Sequence, residues 1–248
     1  MSASEPDGTS KRPHAPTPLR VSRRPWLVAG LIALVAVVAM GVVIVVAESR
    51  QAFPFEVDLA AALAAARTPA VTAFAQVLNV VGGGVLSNVV LPILIVVAFL
   101  LWRRPWAALY FAIAAAASAG VTRLVKVLVG RVRPEDILVE PDFGSFPSGH
   151  SSAAALIATA LGLVFLRTWV WAAAVVYTVL MMLSRMYLGA HWLSDTIGGA
   201  LVGAGVALVV WAPFAYRLYR ENRLPHPPIW RPVATSAPDD GVGAARAD

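Results

Sequence analysis

The chain is predicted to fold as an all-α, polytopic membrane helix bundle with six transmembrane helices and both termini cytoplasmic. Apolar residues fill 58% of its 248 positions and charged residues only 14%. The mean hydropathy is +0.72, whereas a soluble domain is roughly half apolar and a quarter charged. The apolar residues gather into long uninterrupted runs, and most Lys and Arg residues fall in the two tails and in every second connection between those runs.

Residues 1–25, rich in Pro, Ser and Arg, have no apolar periodicity and read as a disordered cytoplasmic tail. The run 26–47 is long enough, at about 1.5 Å per residue, to cross a hydrocarbon core of about 30 Å. Basic residues before such a run can mark a secretory signal. This run is too long for a signal's apolar segment and lacks a small-residue cleavage site, so it is expected to stay as a helix. The stretch 48–84 is mixed, with Glu56 and Asp58, then alanine-rich segments, then Gly82, Gly83 and Gly84. Within it, 57–78 reads as one or two amphipathic helices lying on the membrane or against the bundle, with the glycines as a break. Further spans are expected at 85–102, 106–129, 152–166, 169–187 and 196–216. Residues 26–216 thus form one domain, and 217–248 read as a second disordered cytoplasmic tail.

Orientation follows from the short connections. Lys11, Arg12, Arg20, Arg23 and Arg24 precede the first span, Arg103 and Arg104 separate the second and third, Arg167 separates the fourth and fifth, and Arg217, Arg220 and Arg223 follow the sixth. With six spans these all lie on the cytoplasmic side. The formal charge of +6 is scattered between apolar runs without a contiguous basic face, so no nucleic-acid partner is expected. With no cysteine there is no disulfide or thiol chemistry. The Ala, Val and Arg bias, with only two lysines, fits a GC-rich bacterial genome.

One outward segment departs from the charge rule. "RLVKVLVGRVRP" puts Arg123, Lys126, Arg131 and Arg133 at the outer end of the third span. Deep in lipid, each charge would cost about 2.5–3.5 kcal/mol. A lone arginine there is usually a snorkelling residue, but four within eleven positions point to a built anion site. If helical, Lys126 and Arg133 lie two turns apart on one side, a point charge and a two-pronged donor suited to phosphate oxygens, although Pro134 favours a helix exit or extended backbone at Arg133. Arg123 is as well explained by snorkelling. Pro147 precedes "SGHSS" and an apolar run, so Ser148 and Gly149 offer backbone N–H groups at a helix N-terminus. The plainer reading of Ser148 is an ordinary helix cap. Finally, "SRMYLGAHWLSD" sets Arg185 at a membrane boundary and His191 and Asp195 four apart on one helical face. A carboxylate against one imidazole nitrogen raises the basicity of the other. His150 and His191 both open predicted spans on the outer side.

Lys126 followed by six residues and "RP", "PSGH" at 147–150, and "SR" followed by five residues, His191, three residues and Asp195 resemble the three signature motifs of the type 2 phosphatidic acid phosphatase superfamily. That superfamily includes lipid phosphate phosphatases, undecaprenyl diphosphate phosphatases, soluble acid phosphatases and vanadium haloperoxidases. The resemblance implies that His191 attacks phosphorus, with Asp195 orienting it, and that His150 protonates the leaving oxygen. Lys126, Arg133, Arg185, Ser148 and Gly149 would then bind the phosphoryl oxygens. It implies no metal and no other cofactor, and the substrate would be a lipid phosphate or diphosphate (undecaprenyl diphosphate, phosphatidic acid or phosphatidylglycerol phosphate) met among membrane lipids at the outer face of the cytoplasmic membrane. A non-catalytic lipid-phosphate binder or transporter would use the same cations but would not need His150, His191 and Asp195. A vanadate-dependent haloperoxidase fits poorly with the membrane spans and with the short connection between Pro134 and Pro147.

Overall fold

The computed structural model describes residues 22–83 and 85–231; the expectations for 1–21, Gly84 and 232–248 lie outside it. Every regular element among the described residues is helical. The elements are α1 (Arg24–Val46), α2 (Pro54–Ala65), α3 (Pro69–Gly82), α4 (Leu91–Leu101, entered through a single π-helical turn, Leu86–Val90), α5 (Pro105–Val129), α6 (Gly149–Phe165), α7 (Thr168–Tyr187) and α8 (Leu193–Glu221). Proline stands in the first turn of each of α1 to α5. There its missing N–H costs nothing and its fixed φ suits a helix start.

Helices α1, α5, α7 and α8 are long and apolar enough to cross a membrane, and the α2–α3 pair, bent by 118° at its break, makes a fifth at most. This is a multi-pass membrane protein. The other two expected spans form shorter apolar helices, Leu86–Leu101 and Gly149–Phe165. The mixed segment before them folds as two helices, α2 and α3, packed on the bundle against α6 and α7. Arg67, at their elbow, donates to the Tyr187 carbonyl at 3.1 Å and to Asp136 Oδ2 at 2.6 Å.

Helix α8 is the hub, in contact with α1, α5, α6 and α7. Its closest approach is to α6. A Cβ on Gly199 would fall 2.3 Å from the Ser148 carbonyl oxygen, and one on Gly203 would fall 2.1 Å from that of Ser152. Only glycine allows the backbones this near, and that proximity sets the start of α6 beside the start of α8. Helix α8 also runs five residues past the expected end at 216, because Arg217 stacks over the Trp106 ring at 3.9 Å and Glu221 caps the N-terminus of α5 through the Trp106 and Ala107 N–H groups. Beyond it, Ile229 N–H bonds to the Leu101 carbonyl at 2.9 Å. Residues 217–221 thus continue α8, and Ile229 lies against the end of α4, within the stretch read from sequence as a tail. Arg104, Arg217 and Glu221 gather at one end of the bundle. At the other end, the exits of α5 and α7 meet the starts of α2, α6 and α8.

Candidate active site

Ser118, Thr122 and Lys126 are spaced by four on α5, so they share one face, and that face is buried. Ser118 and Thr122 hydrogen-bond to Ser152 of α6 at 3.0 and 2.9 Å, which fixes the rotation of α5 and directs Lys126 toward the start of α6. The helix ends at Gly130, whose left-handed φ of 55° is a conformation glycine adopts freely. Arg133 therefore lies past the helix exit that Pro134 favours, not two helical turns beyond Lys126. It comes back to the same spot along an irregular loop, and both cations bond to the Gly144 carbonyl, at 2.9 and 2.8 Å. Asp142 bridges the pair, 3.2 Å from Lys126 Nζ and in close contact with Arg133 Nη2. Its side chain is 65% exposed against 6% and 10% for the two cations, so the carboxylate reaches in from the solvent side. Burial alone would push the Asp142 carboxyl up, but Lys126 and Arg133 outweigh burial and hold it below the usual carboxylate range.

At the N-terminus of α6, Ser148 is wholly buried and acts as the cap. Its Oγ accepts from the Ser151 N–H at 3.4 Å, and its own N–H bonds to the Asp195 carbonyl at 2.9 Å. Gly149 has open space where a Cβ would be, so of the expected pair it is the one that faces the cleft. His150 Nε2 lies 3.1 Å from the Asn79 carbonyl. Because a carbonyl only accepts, Nε2 carries the proton. Gly83 makes room for this ring, since a Cβ there would be 2.0 Å from Nε2. Arg185 bonds through Nη1 to the Asn79 side-chain oxygen, so one residue of α3 touches both.

His191 sits on the turn between α7 and α8 and is buried. Nδ1 lies 2.9 Å from the Ser145 carbonyl and Nε2 lies 3.4 Å from Arg133 Nη1. A carbonyl only accepts and a guanidinium only donates, so the proton is on Nδ1 and the lone pair on Nε2. Burial, then Arg133, Lys126 and Arg185, push the His191 pKa well below the ordinary value, which keeps the ring neutral. The expected hydrogen bond from His191 to Asp195 is not formed. The pair stands at 3.7 Å, because Asp195 Oδ2 accepts the Trp192 N–H at 2.9 Å and Oδ1 accepts Arg131 Nη1 at 2.7 Å.

A cleft of about 840 Å³ is lined by Arg133, Gly149, His150, Arg185 and His191, with Asp142 and Asn79 on its rim. Lys126 and Arg123 line a smaller groove beside it that also opens at Gly149 and Asp142. Arg123 is exposed there, as a snorkelling residue would be. Among the described residues no three His, Asp or Glu side chains stand together as metal ligands do. Sequence reasoning missed Asp142, Asn79, Ser145 and the partnership of Arg131 with Glu56. The signal for Glu56 was present, a Glu two positions after Pro54 at a helix start, where its carboxylate caps the Phe53 N–H. Nothing local marks Asn79.

Residues 107–219 match the family model described as the PAP2 superfamily. Phosphatidylglycerophosphatase B of Bacillus subtilis is 31% identical to this chain over 129 residues, 47% of this chain and 64% of the relative. An undecaprenyl-diphosphatase of Sulfolobus acidocaldarius is 34% identical over 95 residues, 34% of this chain and 44% of the relative. The chain therefore spans less than two thirds of either relative. The crystal structure of a transmembrane PAP2-type phosphatidylglycerolphosphate phosphatase from Bacillus subtilis shares the fold, with a TM-score of 0.65 at 21% identity, over 79% of this chain and 98% of that one. All three motif clusters fall inside the PAP2 segment, whereas Glu56 and Asn79 lie outside it.

Proposed function

We propose that this protein is a metal-independent phosphatase that hydrolyses a lipid phosphate or diphosphate through a phosphohistidine. The observation that carries the reading is the fixed tautomer of His191, a neutral imidazole whose Nε2 lone pair opens beside Arg133 into the cleft. Lys126, Arg133, Arg185 and the α6 N-terminus at Gly149 supply the positive field for the phosphoryl oxygens, which displace the Asp142 carboxylate on binding. Nε2 then attacks phosphorus as the bond to the leaving oxygen breaks. His150, favoured in its imidazolium form by the bound anion, transfers its Nε2 proton to that oxygen. In the second half, water attacks phosphorus, the P–Nε2 bond breaks, and the proton removed from water returns to His150. Asp195, 3.7 Å from Nδ1, faces the positive charge that develops on the ring.

Six crossings, with the short helices Leu86–Leu101 and Gly149–Phe165 as the second and fourth, put the Arg103, Arg104, Arg167, Arg217, Arg220 and Arg223 end in the cytoplasm. The cleft then opens outward. Relatives named as a phosphatidylglycerophosphatase and an undecaprenyl-diphosphatase make glycerolipid and prenyl phosphates the substrates to try first. Phosphate release by detergent-purified protein from such a panel, with chelator present, tests the reaction. His191→Ala is expected to lose at least ~10³-fold in rate, the scale of removing a nucleophile. An active His191→Ala protein, or wild-type activity abolished by chelation, would sink the mechanism. A tag on the C-terminus that is accessible from outside intact cells would overturn the topology.

A further inference from the structure

We infer that Glu56 and Arg131 are positioning residues for His191, acting through Asp195 as a buried support with one net negative charge; this rests on the phosphatase reading above. Arg131 was grouped by sequence with the anion-binding cations, but none of it reaches the cleft. Its side chain is wholly buried. Nη1 donates to Asp195 Oδ1 and Ser194 Oγ, both at 2.7 Å, Nη2 to Glu56 Oε2 at 2.6 Å, and Nε to the Gln51 carbonyl at 3.1 Å. Glu56, 75 residues earlier and equally buried, also takes the Ser194 N–H and Oγ at 2.8 and 2.7 Å. The start of α2 is thereby bolted to the start of α8 across the exit loop of α5.

The arithmetic of charge gives this cluster its consequence. One guanidinium against two carboxylates leaves one net negative charge, placed 3.7 Å behind His191 Nδ1. The groups facing His191 on its other sides are Lys126, Arg133 and Arg185, with His150 and the exposed Asp142. As Nε2 bonds to phosphorus the ring becomes cationic, and on the cleft side it meets mainly positive charge. Asp195 supplies the balancing negative field only while Glu56 offsets Arg131. Without Glu56 the Arg131–Asp195 pair is neutral overall, and the ring has no net counter-charge. A buried ion cluster gives little stability over an apolar replacement, so its electrostatic effect on the neighbouring imidazole is its distinctive consequence.

The test uses full-length protein in detergent and three near-isosteric variants: Glu56→Gln, Arg131→Gln and the double substitution. The readouts are kcat and KM on a lipid phosphate, and the pH dependence of His191 carbethoxylation by diethyl pyrocarbonate, mapped on its peptide by mass spectrometry. Glu56→Gln is expected to lower the His191 pKa by about one unit and kcat on the order of tenfold, with KM changed less than twofold. Arg131→Gln is expected to shift the His191 titration the opposite way, and the double variant to bring it back toward wild type. A purely structural cluster gives shifts of one sign, or none, and either result overturns the proposal. If Glu56→Gln does not fold, Arg131→Gln against the double variant makes the same comparison. A wild-type protein that releases no phosphate would sink the phosphatase reading while leaving the titration result to stand or fall separately.

Discussion

Arg131 and Arg133 stand two residues apart on one loop and do opposite things. Arg131 turns inward, where two carboxylates, a hydroxyl and a carbonyl meet its guanidinium. Arg133 turns outward, where it bonds to carbonyls, to an exposed carboxylate and to a histidine lone pair on the wall of the cleft. A regular strand would put residues two apart on the same face, but the backbone after Gly130 is an irregular loop, and this is what separates a closed ion cluster from an open anion site. The closed cluster makes its ion pairs wholly inside the protein and keeps one net negative charge. The open site has its cations matched only by Asp142, which solvent can replace. A cation that function requires to be free is recognised by how exposed its partner is, more than by its own burial.

Substitutions that affect one region and spare the other sharpen this contrast. The largest expected effect is on stability: Arg131→Ala strands Glu56 and Asp195 in the interior and should cost about 3–5 kcal/mol, read as a lowered melting temperature in detergent. Arg133→Ala should instead leave melting nearly unchanged and lower kcat/KM by roughly 10²–10³-fold, the scale of removing one preorganised donor to a developing charge. If the two variants exchange phenotypes, the distinction between closed and open regions is wrong.

A smaller effect concerns pH. Because the folded His191 pKa lies well below its unfolded value, the unfolded chain takes up a proton that the folded chain refuses. This contribution to stability is fully present above about pH 6.5 and falls by up to about 1.4 kcal/mol per pH unit below it. The melting temperature of wild type should therefore fall more steeply with acidification than that of His191→Asn. Equal slopes would place His191 in a solvated setting. Asp142 gives the smallest change. Asp142→Asn should tighten inhibition by vanadate or inorganic phosphate about three- to fivefold, in line with the modest worth of an exposed ion pair. Weaker inhibition would mean that Asp142 organises the cations rather than standing in for an anion.

Much of the fold and of the site was legible in the chain. Apolar runs gave helices because a chain this hydrophobic must satisfy its backbone internally, and prolines marked five of the helix starts. Lys126, Arg133, His150, Arg185 and His191 were each picked out as charged or titratable groups in or beside apolar runs, where the cost of placing them asks for a reason. Two side chains are engaged by the fold itself. Ser148 is the cap that its plainer reading offered and Asp195 is turned toward Arg131, because each answers first to the nearest unsatisfied backbone or buried charge.

The sequence alone determined that this is a helical membrane protein with cations and two histidines at one end, since composition and local spacing are properties of the chain by itself. Only the tertiary structure decided which charges meet. Glu56 reaches Arg131 across 75 residues and Asn79 reaches Arg185 across 106. Such pairings depend on how α2 and α3 fold back onto α6, α7 and α8, and no local pattern encodes that. The same holds for the His191 proton, which the Ser145 carbonyl and Arg133 place on Nδ1 from opposite sides of the ring.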